Sequence, residues 1–184
     1  RRSKDWDNDW ISEEGPYTHL ELRVLLECTR SMSGRKEKNN ALNKIAVELS
    51  KQGQVKESVS LMQELLTIVR GMSYRRFKSM ALNEIAVELR KQGQVEESAS
   101  LLQESLAIVR DMSDGWYKSM ALNKIAVVLS KQGQVEESAS LLKESLAIVR
   151  GMSDGEEKSY ALKAIVVELR KQGQVEESAS LLQE

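Results

Sequence analysis

The residues with the greatest capacity for chemistry lie near the start of the chain. His19 and Cys28 are the only histidine and the only cysteine among 184 residues. A catalytic centre needs several polar groups that converge within hydrogen-bond reach, and this pair alone does not supply them. We therefore interpret Cys28 as a small core residue. The sequence predicts that the chain is not an enzyme.

Alternating carboxylates near the start begin like a calcium-binding loop. They are Asp5, Asp7 and Asp9. Such a loop needs a glycine at its turn and a bidentate glutamate at its end, but Trp10 and Pro16 occupy those positions. The sequence also shows no zinc-ligand spacing and no phosphate-binding glycine loop. It therefore predicts no metal site and no cofactor.

The charge balance narrows the classes of partner. Charged residues make up 30% of the chain and the net charge is -1, so cations and anions are interspersed. This balance does not favour nucleic acid or an anionic membrane surface as a partner. A single cysteine cannot form an internal disulfide, and no apolar run has the length of a signal or a membrane span. We therefore expect a cytoplasmic protein with neither a nucleic-acid nor a membrane partner.

A phrase that recurs every forty residues organises the chain. KQGQVEESASLL begins at Lys91, Lys131 and Lys171, and a diverged copy begins at Lys51. Residues 78–117 and 118–157 align without a gap and differ at seven positions, which indicates duplication. A fixed period of this kind is the signature of a repeat architecture. The predicted organisation is an N-terminal segment that acts as a cap (1–17), a degenerate half repeat (18–37), three full repeats (38–77, 78–117, 118–157) and a truncated repeat (158–184).

Each repeat contains two predicted helices. Apolar residues such as Ile85 and Leu89 recur at helical spacing and indicate an amphipathic helix over about 78–91. Gly93 follows it, and glycine adopts the left-handed conformation that ends many helices. A second helix is predicted from Val95 to about residue 111.

Two helices joined by a short turn lie antiparallel as a hairpin. One hairpin cannot bury both of its apolar faces, so neighbouring hairpins must stack. Between hairpins, Ser113 and Asp114 are candidate N-caps of the next helix. The sequence therefore predicts an all-α fold, an α-solenoid of stacked antiparallel helix hairpins, with Trp6, Trp10 and Ile11 covering the first exposed helix face.

The apolar offsets around the turn glycine resemble the tetratricopeptide repeat (TPR). The residues that carry the resemblance are Leu82, Ile85, Ala86, Leu89, Gly93, Leu102, Ser105 and Leu106. The repeat departs from the usual period of about 34 residues, has Ser98 where the family has alanine, and lacks the closing proline. The resemblance implies a right-handed superhelix and an adaptor that holds a peptide or partner segment in a concave groove lined by the first helices. HEAT-type repeats are the competing architecture because their lengths are compatible.

The face of the first helix opposite the core is the predicted groove. Stacked repeats would align one asparagine from each repeat, and a carboxamide both donates to and accepts from a peptide backbone. Neighbouring cations favour an acidic protein or peptide. The lysines equally suit a helix C-terminus, and the valines equally suit packing against the adjacent first helix. The predicted groove residues are Asn43, Asn83, Asn123, Val87, Val127, Lys51, Lys91, Lys131 and Arg90.

Other surfaces give further hypotheses. Phe77, Trp116 and Tyr117 lie in loops that differ between copies, and these residue types occur at interface hot spots. Packing beneath the next helix is the alternative interpretation of all three. The alternative function is head-to-tail self-assembly into a homo-oligomer, and a third hypothesis is the TPR array of a larger signalling protein. The predicted assembly residues are Ala179, Leu181 and Leu182.

Overall fold

The computed structural model describes residues 17–153 and 155–174, where all regular structure is helical. The fold is the predicted all-α solenoid of helix hairpins. The turn glycine separates a first helix from a second helix in each hairpin, and α4 begins a few residues earlier than predicted. The helices are α1 (His19–Arg30), α2 (Arg35–Lys51), α3 (Val55–Arg70), α4 (Arg75–Lys91), α5 (Val95–Arg110), α6 (Gly115–Lys131), α7 (Val135–Arg150) and α8 (Glu156–Lys171).

The chain divides into two compact units. In the described part of the chain, one unit contains residues 17–72 and 88–95, which are α1 to α3 and the end of α4. There α2 packs against both α1 and α3. Removal of apolar side chains from water is the main force that holds the hairpin together. The buried core of this unit includes Leu22, Leu42, Ile45, Leu49, Leu61, Met62, Leu65, Leu66 and Val69.

The other unit contains residues 73–87 and 96–174 of the described chain, which are most of α4, α5 after its first residue, and all of α6 to α8. In this unit α6 packs against both α7 and α8, and α7 packs against α8. The same repeat positions provide the core in each copy, as the spacing predicts. The buried residues include Leu82, Ile85, Leu101, Leu102, Leu122, Ile125, Leu141, Leu142, Ile165 and Leu169.

A glycine ends the first helix of each hairpin. Gly133 has φ 79°, and its N–H donates to the carbonyl of Ser130 at 3.0 Å. The N–H of Gln134 donates to the carbonyl of Leu129 at 3.0 Å. These two bonds form a Schellman motif, which satisfies carbonyls that the helix leaves open. The left-handed conformation predicted for Gly93 is confirmed, with φ 81°.

Side-chain caps position the start of the next hairpin. Asp114 accepts a hydrogen bond from the N–H of Tyr117 at 3.1 Å, so its predicted role as an N-cap of α6 is confirmed. One turn into α6, the Lys118 ammonium donates to the carbonyl of Arg110 at 2.7 Å. The end of α5 and the beginning of α6 are thereby joined by a direct hydrogen bond.

The prediction that Cys28 lies in the core is wrong, because its side chain is exposed. The buried positions of α1 are Leu22 and Thr29, which share one face of the helix. Cys28 is one residue before Thr29, and a single residue turns the helix by about 100°. Its side chain therefore points away from the buried stripe.

Candidate functional site

The first helices of the second unit carry two predicted ligand-binding asparagines. Asn83 on α4 and Asn123 on α6 are only 7% and 6% exposed, so they lie deeper than residues at an open groove would. The side-chain oxygen of Asn83 and both polar side-chain atoms of Asn123 have no hydrogen-bond partner among the described residues. A buried polar group without a partner costs about 1–3 kcal/mol. Asn43, in the other unit, is half-buried.

Two of the three predicted groove lysines, Lys51 and Lys91, form ion pairs within their own helices. The Lys91 ammonium lies 3.0 Å from the carboxylate of the buried Glu88, one turn earlier. Val128 replaces that glutamate in the next repeat, so Lys131 has no carboxylate at the equivalent position. The positive charge of Lys131 is therefore not offset by a glutamate at that position, whereas the charges of its counterparts are. The equivalent pairs join Lys51 to Glu48 at 3.3 Å and Lys171 to Glu168 at 3.4 Å.

The predicted groove valines differ in exposure from the valine at the equivalent position of α8. Val87 and Val127 are half-buried, whereas Val167 at the equivalent position of α8 is 51% exposed. Val127 lies on α6, which packs against α8, and no further helix follows α8 in the described part of the chain. The difference in exposure supports the interpretation that these valines pack against the adjacent first helix. Arg90 is also half-buried.

A cavity of about 270 Å³ lies between α4, α6 and α8. The rings of Trp116, Tyr117 and Tyr160 contribute to its walls, together with the side chains of Met80 and Met120. The Trp116 and Tyr160 ring centroids lie 5.7 Å apart, with the planes inclined at 59°. The cavity is therefore walled by aromatic rings and thioethers.

Charged side chains accompany the apolar walls. The guanidinium carbon of Arg76 lies 3.9 Å from the centroid of the Tyr117 ring, a distance typical of a cation–π contact. Lys124 also lines the cavity, and its charge acts on Glu84 of α4. Burial raises the pKa of the Glu84 carboxyl, and Lys124 lowers it by less, although the Glu84 side chain still reaches solvent. Arg76, Lys124 and an ionised Glu84 together leave a net positive charge beside the cavity.

The three predicted interface aromatics lie in the first turns of α4 and α6 and not in loops as predicted, and the structure brings two of the three together. Trp116 and Tyr117 both line the cavity, but Phe77 does not. Phe77 is 42% exposed, and its ring stacks edge-on against Tyr74 with centroids 6.3 Å apart. Sequence reasoning missed Tyr160 as a member of this group. The signal was available, because the two full copies that align without a gap carry methionine at that position.

The described residues show no arrangement suited to metal chemistry. Within residues 17–153 and 155–174, no three His, Cys, Asp or Glu side chains are grouped so that they could hold a metal ion. The His19 ring lies 3.8 Å from the carboxylate of Glu57, a residue that is far from Cys28 in the sequence. None of the helices that the structure describes is both long enough and apolar enough to span a membrane.

Several predictions fall on residues outside the described part of the chain. The predicted cap and the predicted assembly stripe both belong to this group, as do the alternating carboxylates. These remain predictions. The residues are Asp5, Asp7, Asp9, Trp6, Trp10, Ile11, Ala179, Leu181 and Leu182.

Stacked hairpins with a left-handed glycine at each turn define a helical-repeat protein. The sequence model for the tetratricopeptide repeat matches residues 79–112 and 119–150. The two matched segments are therefore TPR-like, and they lie within a helical repeat that has a period of forty residues. Repeats of this family generally mediate protein–protein interaction and are typically non-enzymatic.

Solved structures support the same fold. A candidate kinesin light chain from Podosopora anserina with nearly identical TPR-like repeats has 19% identity and a TM-score of 0.61, over 89% of this chain and 82% of that chain. A point variant of that protein has 20% identity and a TM-score of 0.60, over 89% and 81%. Ton1535 from Thermococcus onnurineus NA1 has 18% identity and a TM-score of 0.66, over 88% and 49%. No curated protein sequence matches the chain.

Proposed function

We propose that this chain is a non-enzymatic scaffold that binds a peptide or partner segment in the groove lined by the first helix of each repeat. The observation that carries the proposal is the burial of Asn83 and Asn123, where the Asn83 side-chain oxygen and both polar side-chain atoms of Asn123 lack hydrogen-bond partners among the described residues. Backbone N–H and C=O groups of a ligand would supply the missing partners. Binding would then offset a cost that the free protein bears.

Burial of these carboxamides sets a condition on binding. The unpartnered atoms are almost inaccessible in the free structure, so a ligand reaches them only after side chains on the first helices move. Side-chain changes of this kind are common when a partner binds. The asparagines therefore form the floor of the proposed groove, beneath the side chains that a ligand meets first.

Charge near the C-terminal ends of the first helices favours an acidic segment. Lys51 and Lys91 already pair with glutamates in their own helices, which reduces their attraction for a ligand carboxylate. Lys131 has valine in place of that glutamate. We propose Lys131 as the groove lysine that contributes most to the binding of an acidic segment.

The test begins with a peptide selected from a phage-displayed random library on the full chain. The Asn83→Ala/Asn123→Ala variant should bind the selected peptide about tenfold more weakly, since two hydrogen-bonding groups are lost. Isothermal titration calorimetry measures the affinity. The matched control is Ser100→Ala/Ser140→Ala, at exposed positions of the second helices α5 and α7, which should leave the affinity unchanged.

The stability of the same variant separates ligand binding from a structural role. Removal of buried carboxamides whose oxygens lack partners should leave the free protein as stable as before or more stable. Unchanged affinity of the asparagine variant for the peptide would contradict the proposal. So would weaker binding that is accompanied by an equal loss of stability.

A further inference from the structure

We propose that the cavity between α4, α6 and α8 receives one bulky apolar side chain of the partner segment, preferably aromatic, and that an adjacent acidic residue of the segment pairs with Arg76. This inference rests on the proposed function and specifies the chemistry of the partner. It concerns a cavity that lies toward the N-terminal ends of the first helices, before Asn83 and Asn123 in each helix.

The size of the cavity favours a single side chain. Pockets for drug-sized molecules span about 300–1,000 Å³, and this cavity holds about 270 Å³. A single anchor side chain in a well-packed pocket is a common way for a peptide to gain most of its affinity. The cavity is therefore suited to an anchor residue of a longer segment.

The walls favour an aromatic guest. The walls include the rings of Trp116, Tyr117 and Tyr160. The first two were already candidate interface residues in the sequence. Inserted rings contact such walls edge-to-face or in offset stacks. The thioethers of Met80 and Met120 add adaptable contacts with ring edges. An aromatic side chain therefore finds more complementary surface here than a polar one.

Arg76 provides the polar recognition. Its guanidinium stacks on the face of Tyr117, which fixes the plane of the group and leaves N–H donors at its edge for a carboxylate. Lys124 adds positive charge, but Glu84 offsets part of it. Arg76 is therefore the residue that selects an acidic neighbour.

The anchor site does not recur with the repeat. Trp116 is replaced by Glu156 in the following copy, and Tyr160 takes the place of Met80 and Met120. Near-identical repeats would otherwise present near-identical surfaces. These substitutions confine the aromatic cavity to one place among the described helices, so one anchor at this place fixes the register of the bound segment.

The experiment compares peptides that the full chain and two variants select from the same phage-displayed random library. The wild-type protein should enrich an aromatic residue next to Asp or Glu. Arg76→Glu should shift the neighbouring residue from acidic to basic while the aromatic residue is retained. Circular dichroism checks that each variant is folded.

The second variant removes two aromatic side chains from the walls of the cavity. Trp116→Ala/Tyr160→Ala should bind the wild-type-selected peptide at least about tenfold more weakly by fluorescence polarisation, as expected for the loss of a hot spot. Tyr74→Ala is the matched control, because Tyr74 is 76% exposed and does not line the cavity. Its affinity should equal that of the wild type.

The failures of the two proposals are distinguishable. Enriched peptides that lack the aromatic–acidic pair, or that bind the wall variant unchanged, would overturn the anchor site while the groove stands. If peptides selected on Arg76→Glu still carry an acidic residue beside the aromatic one, the proposed role of Arg76 is wrong. If no peptide is enriched on the wild-type chain, both the groove and its anchor site are wrong.

Discussion

Buried serine hydroxyls explain one departure from the resembling family at the scale of single residues. Ser98 occupies the position after the turn where TPRs have alanine, and it is fully buried. Its hydroxyl donates to the carbonyl of Ala86 at 2.6 Å, and Ser138 makes the equivalent bond to Ala126 at 2.7 Å. A buried hydroxyl needs such a partner. Serine is therefore accommodated because a first-helix carbonyl lies within its reach.

The Glu84 carboxyl should make stability depend on pH. Burial raises its pKa above the ordinary value, and the Lys124 charge opposes this shift less strongly. A carboxyl whose folded pKa is raised stabilises the fold below its unfolded pKa, and this contribution is lost as the pH rises through the folded pKa. We therefore expect Glu84→Gln to be more stable than the wild type at neutral pH. The difference should disappear as the pH falls through the carboxyl range.

Urea unfolding of the wild type and the Glu84→Gln variant across that pH range measures the difference. The variant is nearly isosteric, so it changes the charge and little else. A variant that is less stable than the wild type at neutral pH would show that attraction to Lys124 outweighs the cost of burial.

At the scale of elements, the hairpin turn should depend on a backbone conformation that only glycine adopts freely. Gly133 has φ 79°, and a Cβ built there meets nothing within 4 Å. The cost of Gly133→Ala is therefore conformational and not steric. We expect the free energy of unfolding to fall by about 1 kcal/mol. Urea denaturation provides the measurement.

A second glycine provides the control for the turn. Gly151 follows α7 with φ -78°, where a Cβ makes ordinary contact with the carbonyl of Ile148 at 3.5 Å. Gly151→Ala should be neutral or raise the stability by about 0.5 kcal/mol, because alanine reduces the entropy of the unfolded chain. Equal effects of the two substitutions would show that the left-handed conformation does not determine the cost.

At the scale of the whole molecule, repetition made the fold predictable. The apolar positions around Ile85 recur in every copy, and one physical solution serves each hairpin. The candidate site was harder to predict from the sequence, because the burial of Asn83 and Asn123 depends on how side chains pack between helices. Periodicity places a residue on a helix face, but it does not say how closely the next helix covers that face. The grouping of Tyr160 with Trp116 likewise required the stacked arrangement.

Hydrogen bonds that span successive hairpins should make stability vary along the chain. The side-chain amide of Gln172, after α8, donates to the hydroxyl of Ser138 on α7 at 2.7 Å, and that hydroxyl in turn donates to the carbonyl of Ala126 on α6. Ser138→Ala breaks both bonds and leaves the Gln172 donor without this acceptor. In an array where each repeat contacts only its neighbours, such a loss acts locally.

We therefore expect Ser138→Ala to increase the rate of amide hydrogen exchange in α8 by about fivefold, which corresponds to about 1 kcal/mol. The increase should be smaller in the part of α6 that is remote from Ala126. Ser140→Ala, at an exposed position of the same helix α7, should leave exchange unchanged. Exchange measured helix by helix by mass spectrometry distinguishes the possibilities. A uniform increase across α6, α7 and α8 would contradict this expectation and show that these helices open as one cooperative unit. Loss of the Ser138 hydrogen bonds would then lower the stability of the whole unit, and not only the stability of the contact between α8 and α7.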